Sequence, residues 1–191
     1  QDGRDYGFGL AQGRLTRELS QGLHRREPAK NGDQNTAQTV LEAQFNRETA
    51  QRLERDGLDH NAISNLAKLL DEQCEATGTI PSDRDLVVER CRDEGGDWRI
   101  IIHSPYGRRV HEPWALAITT RIKQRFGFDG QVYAVDDGIV LRLPDGYGDL
   151  PTRELLLFDV DELQRTVETQ VGESVLYMAR FRECAARSLF L

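Results

Sequence analysis

The sequence predicts an α+β fold, with N-terminal helices followed by antiparallel β-hairpins packed with helices. Three observations point there. Up to Gly78, apolar residues recur at helical spacing. From Leu86 to Leu143, short apolar runs are joined by tight turns, and strands joined so closely pair antiparallel. After Asp159 the helical period returns.

In chain order, Leu10, Leu15, Leu19 and Leu23 mark a helix over 10–25. The stretch 27–35 (EPAKNGDQN) carries Pro28 and Gly32 and reads as a mobile polar loop. Asn35 or Thr36 then caps a helix over 37–55 with Val40, Leu41, Phe45 and Leu53 on its apolar side, ended by Gly57. Asp59 caps a third helix, 60–76, in which Ala62, Ile63, Leu66, Leu69 and Leu70 keep i, i+3, i+4 spacing and Gly78 is the stop. Leu86, Val87, Val88 and Cys91 predict a strand, residues 93–97 (DEGGD) a turn, and Trp98 to His103 a second strand. Pro113 opens a helix over 113–126 at its favoured first turn, and Gly127 ends it. Residues 131–135 and 139–143 form a hairpin about Asp136-Asp137-Gly138. A polar loop, 144–152, leads to a short strand at Leu155–Phe158. Asp159 and Glu162 make a capping box for a helix over 160–171, Gly172 stops it, and a last helix runs from about 174. Residues 1–80 are thus expected to be mainly helical and 81–191 to be α+β in the order β-β-α-β-β-β-α-α; one continuous domain is the alternative.

Composition narrows the function. The 191 residues carry a net charge of −7, with 38% hydrophobic and 30% charged residues, so a uniform basic coat for nucleic acid is excluded. No apolar run approaches the ~18 residues that would suggest a membrane span, and no secretory apolar segment stands at the front. The chain begins at Gln1 and its single methionine is Met178, which suggests a piece of a longer protein. Cys74, Cys91 and Cys184 lie far apart with no Cys-x-x-Cys, as expected of reduced thiols in a cytosolic protein. His24, His60, His103 and His111 show no metal-ligand spacing, so no metal site is expected.

Catalytic motifs are equally sparse. A P-loop needs glycine before its lysine, so that bare N–H groups can wrap phosphate. Lys30, Lys68 and Lys123 follow Ala29, Ala67 and Ile122. Asp71-Glu72 superficially matches a DExx metal box but ends a helical pattern, and reads as a solvated helix end. Gly7, Gly9 and Gly13 miss the dinucleotide spacing. Asp136-Asp137 could be an acid/base pair, but before Gly138 their simpler task is to accept backbone N–H bonds in the turn. No catalytic residue is assigned.

Charge is unevenly placed. Residues 98–125 hold Arg99, Arg108, Arg109, Arg121, Lys123 and Arg125 against Glu112 alone. Arginine forks fit phosphate oxygens, and aromatic rings stack on bases. Arg108, Arg109, Tyr106, Trp98 and Arg99 are therefore the candidate nucleic-acid contacts. The competing reading makes Trp98 a core residue and the arginines partners of acids. Trp114 is assigned to the core. Arg180 and Arg182 point in different directions on their helix, and at least one should pair with an acid such as Asp161 or Glu162.

Several blocks in order carry a family resemblance: GLAQGRLTRELS (9–20), HSPYGRRVHEPWALAI (103–118), DDGIVLRLPD (136–145), LLFDVDEL (156–163) and ESVLYMARFRECAARSLFL (173–191). Together they resemble the large helicase-related (Lhr-type) superfamily 2 helicases, over most of 1–26 and 58–191. The likeness is to the DEAD/H-associated region, the accessory C-terminal part of the helicase core. It implies a parent with two RecA-like motor domains, a winged helix, and an accessory domain built on a β-barrel with helices. Such proteins translocate 3′-to-5′ on single-stranded DNA at the expense of ATP and unwind duplexes, including RNA:DNA hybrids. ATP and magnesium would belong to the motor, so no family catalytic residue carries onto a position here. The expected partners are single-stranded DNA or an RNA:DNA hybrid, met through the parent, and the parent's own winged-helix and RecA-like domains, with no membrane. The rival expectation is a protein–protein interaction module that never touches nucleic acid.

Overall fold

A computed structural model describes residues 5–26, 42–145, 152–173 and 175–189. The elements are α1 (Tyr6–Gly22), β1 (Leu23–Arg26), β2 (Glu42–Phe45), α2 (Arg47–Arg55), α3 (His60–Thr77), β3 (Val87–Arg92), β4 (Trp98–His103), α4 (Arg108–Phe126), β5 (Gln131–Val135), β6 (Gly138–Leu143), α5 (Thr152–Leu156), α6 (Val160–Glu173) and α7 (Val175–Leu189). The strands form a two-stranded β1-β2 ribbon and a four-stranded sheet in the order β3-β4-β6-β5. The sheets are antiparallel, so the α+β class is as expected, and no closed barrel is seen among the described residues. No described helix is long and apolar enough to cross a membrane. The chain divides into two compact units, Gly7–Val87 with His103–Pro105, and Gln1–Tyr6 with Val88–Ile102 and Tyr106–Leu191.

The helical unit is built on Leu19, Phe45, Leu53, Ile63, Ala67, Leu70 and Ile80. Ile63, Ala67 and Leu70 recur at i, i+4, i+7 and put one face of α3 inward. Leu69, expected on that face, points outward and is exposed. Asp59 caps the helix as expected, its Oδ1 accepting from the Ala62 N–H at 2.7 Å. The helix expected over 37–55 is in fact a strand and a shorter helix. Residues 42–45 pair with Leu23–Arg26, in the register Leu23↔Phe45. Asn46 then donates its N–H to the Gly22 carbonyl and caps α2, accepting from the Thr49 N–H at 2.9 Å. Phe45 reaches the core from the strand, so an apolar residue there did not require helix. The same pairing takes 23–25 out of the first helix. The expected loop 27–35 and the start of the second helix lie outside the described residues, as does most of the loop 144–152.

Gly13 marks a close approach in this unit. A Cβ there would stand 2.7 Å from the Asp83 nitrogen, so α1 lies directly against the turn at 82–85. Arg17 on α1 grips the same turn. Its Nε and Nη2 donate to the two Asp83 carboxylate oxygens at 2.6 and 3.2 Å.

In the α/β unit, α4 covers the sheet. Ile100 and Ile102 on β4, and Ile139, Leu141 and Leu143 on β6, alternate inward at the strand period of two. Ala115, Ile118 and Ile122 meet them from α4. Where a strand is expected at Leu155–Phe158, Leu155 and Leu156 instead end the short helix α5, both buried, and Leu157 and Phe158 follow it outside any helix or strand. Arg121 donates to the Glu154 and Leu157 carbonyls at 2.6 and 2.5 Å, and Trp114 Nε1 to the Leu156 carbonyl at 2.9 Å, so side chains of α4 satisfy this corner. Gly172, expected as a stop, lies inside α6, which runs to Glu173.

Candidate nucleic-acid interface

The segment Tyr106–Arg109 sits where β4 hands over to α4. Gly107 precedes the helix at φ 85°, a positive-φ backbone that glycine adopts without a Cβ clash. The helix was expected to open at Pro113 but begins at Arg108, and Pro113 lies inside it. The first turn of the helix is held by the β5–β6 turn. Asp136 Oδ1 accepts from the Arg108 N–H at 3.1 Å, and the buried His111 places Nδ1 2.6 Å from the Val135 carbonyl. Val110 and His111 also donate to the Gly107 carbonyl. Asp136 thus accepts a backbone N–H, as expected, but 28 residues away in sequence. The sheet holds the arginine pair at a fixed place.

Within this frame the five nominated residues fall into two groups. Tyr106, Arg108 and Arg109 cluster at the head of α4. Tyr106 is half-buried and its ring stacks on Tyr6, with centroids 5.5 Å apart and planes 19° apart. Arg109 is exposed. The Arg108 side chain is 43% exposed, with Nε 3.9 Å from Glu112 Oε1 in a loose i, i+4 pair. Trp98 and Arg99 start β4, about 17 Å from its other end at ~3.4 Å per residue, so they belong to another place.

Trp98 packs against the core, and its ring is covered by cations. The Arg92 guanidinium stands 3.9 Å and that of Arg90 4.9 Å from the ring centroid. Its Nε1 is buried and makes no hydrogen bond among the described residues. Arg92 is itself held by the Gly96 carbonyl at 2.7 Å and by Asp145. A base reaching Trp98 would have to displace these contacts. Arg99 is exposed. The turn beneath is tied by Asp93, which accepts from the Gly95 and Asp97 N–H groups and pairs with Arg142 at 2.9 Å. Burial pushes the Asp93 carboxyl up, but Arg142 and those N–H groups outweigh it and hold the group below its ordinary value.

Two other cations of the basic segment are engaged. Arg121 lies 3.3 Å over the Phe158 ring and pairs with Glu162 at 2.6 Å, and Lys123 pairs with Asp129 at 3.0 Å. Glu162 is therefore not the partner of the α7 arginines: Arg180 and Arg187 both meet Glu183 instead, and Arg182 Nε donates to the Met178 carbonyl. Tyr6, which stacks on Tyr106, is not among the residues nominated from the sequence, because nothing in the pattern links positions 6 and 106.

Among the described residues no group of three or more His, Cys, Asp or Glu is placed to hold a metal ion. Lys68 pairs with Glu72 at 3.7 Å, and neither it nor Lys123 follows a glycine loop.

Comparison with known proteins gives the family. A family model described as DEAD/H associated matches residues 80–191, more than half of the chain. The chain belongs to the DEAD/H-associated family. Its similarity is to Lhr-type helicases, as the sequence blocks indicated. It is 56% identical over 133 residues to the Lhr helicase/uracil glycosylase of Escherichia coli K12, covering 70% of this chain. It is 53% identical over 140 residues to the Lhr helicase/probable uracil glycosylase of Mycolicibacterium smegmatis, covering 73%. The chain spans 9% of the length of each of these relatives. Among solved structures, the Mycobacterium smegmatis helicase Lhr bound to ssDNA and AMP-PNP superposes with a TM-score of 0.73 at 43% identity, over 98% of this chain and 21% of that one. Of the residues nominated from the sequence, Tyr106, Arg108 and Arg109 are the ones brought together, at the head of α4.

Proposed function

We propose that this chain is an accessory, non-motor part of an Lhr-type ATP-dependent 3′-to-5′ DNA helicase. It braces the winged-helix and RecA-like domains and touches the single-stranded tracking strand through Tyr106, Arg108 and Arg109, whether that strand comes from duplex DNA or from an RNA:DNA hybrid. Trp98 and Arg99 form a second, weaker candidate patch. The observation that carries this reading is the match of nearly the whole chain to one-fifth of a helicase solved with single-stranded DNA and a nucleotide analogue. Nucleotide chemistry falls to the rest of the parent, in keeping with three lysines none of which follows glycine.

The test is single-strand binding by the full-length helicase carrying Arg108→Ala/Arg109→Ala, across a salt series. Each phosphate contact to a single strand contributes about −0.7 to the slope of log K against log salt. Loss of two contacts should weaken binding and flatten the slope by about 1.4. Unchanged affinity and slope would instead favour the interaction-module reading, for which the Arg108–Glu112 pair is the supporting observation.

A further inference from the structure

Tyr6 opens α1 and keeps 51% of its surface in solvent. Its ring lies nearly parallel to Tyr106, and Tyr106 is half-buried, so Tyr6 is the outer member of the stack. An offset stack uses one face of each ring, and a ring that keeps half of its surface in solvent can take another flat group on its second face. Downstream of the inner ring, after Gly107, come Arg108 and Arg109, on a helix start fixed by Asp136. The site therefore offers a half-exposed ring and, two and three residues after its stacking partner, two cationic forks. A partner that is flat and anionic at once satisfies both, and a nucleic-acid strand is such a partner, its bases stacking while its phosphates pair.

We infer that Tyr6 is the outer stacking platform for one nucleobase of a single strand, with the neighbouring phosphates on the Arg108–Arg109 segment. This rests on the strand-contact reading above and adds a residue that the sequence did not nominate. Tyr106 acts behind Tyr6 by holding its ring flat. Stacking is indifferent to base identity, as a translocating strand requires.

The experiment uses the full-length helicase and three probes: oligo(dT), an abasic strand of equal length, and oligo(dT) carrying one 5-iodouracil. Tyr6→Ala is expected to lose roughly tenfold in affinity for oligo(dT), and Tyr6→Phe to keep it. On the abasic strand Tyr6→Ala and the unmutated protein should bind alike, and the salt slope should not change because no charge is removed. Wild-type affinity in Tyr6→Ala, or an equal loss on the abasic strand, overturns the platform. In the unmutated protein, irradiation of the iodouracil strand should cross-link Tyr6; cross-links confined to other residues overturn the proposal even if Tyr6→Ala folds poorly. If Arg108→Ala/Arg109→Ala weakens binding while Tyr6→Ala does not, the platform fails and the strand contact stands. If neither substitution matters, both fail.

Discussion

Asp83 is the best-held carboxylate of the helical unit. Its side chain is only 7% exposed, and Arg17 meets it with two parallel N–H bonds while Arg14 stands 3.9 Å away. The hydrogen bond from Arg17 does most to hold the carboxyl below its usual range, against a desolvation that pushes the other way. A carboxylate whose folded pKa is depressed stabilises the fold at every pH above its unfolded value. That contribution fades as the pH falls below about 4 and through the lower folded pKa. Asp83→Asn should therefore be less stable than the parent at neutral pH and should lose less stability on acidification below pH ~4. Urea midpoints taken from pH 7 down to pH 3 check this, and two parallel pH curves would refute it. Arg121 shows the opposite use of the same residue type: stacked on Phe158 and bonded to two carbonyls, it is part of the fold and no candidate for phosphate. Sequence counted Arg121 and Arg109 alike in one basic run; only position separates them.

At the scale of elements, local chemistry was legible wherever it decided the outcome. The Asp59 cap and the turns about 93–97 and 136–138 stand as read, since each is fixed by residues close in sequence. Removing the Asp59 carboxylate, as Asp59→Ala, should cost about 1 kcal/mol, the usual size for an N-cap, measured by denaturant unfolding with the m-value unchanged. What could not be read came from long-range contacts. Residues 42–45 are strand because 23–26 lie beside them, and α4 starts at Arg108 because Asp136 supplies a cap from another hairpin. The short α5 looked like a strand because four apolar residues in a row carry no period. Gly13 likewise reads as a weak spot in a helix until the approach of the 82–85 turn is known. Gly13→Ala would raise helix propensity by ~1 kcal/mol, yet the added methyl meets backbone at 2.7 Å, where no side chain can swing away. The backbone clash should win, and Gly13→Ala should lower the thermal midpoint; a rise would mean that α1 shifts freely.

At the scale of the molecule, a net charge of −7 works against association with DNA, whereas the basic run 98–125 works for it only at close range. With a screening length of about 10 Å at 0.1 M salt, the acidic remainder would be largely invisible to a strand seated, as proposed, at the head of α4, but would oppose its approach. On the proposed reading, such a surface suits a strand delivered by the rest of the parent helicase better than one captured from solution, and holding the strand is separate from spending nucleotide. On this view Arg108→Ala/Arg109→Ala in the full-length helicase should leave DNA-free ATP turnover unchanged. It should raise the strand concentration needed for half-maximal stimulation, and the turnover at saturating strand should match the unmutated protein. The 191-residue chain alone should hydrolyse no ATP with or without a strand. A steady-state ATPase titration with oligo(dT) measures all of these. A fall in DNA-free turnover would assign the arginine pair to the motor's own workings, and turnover by the chain alone would mean that the nucleotide site had been sought in the wrong part of the molecule.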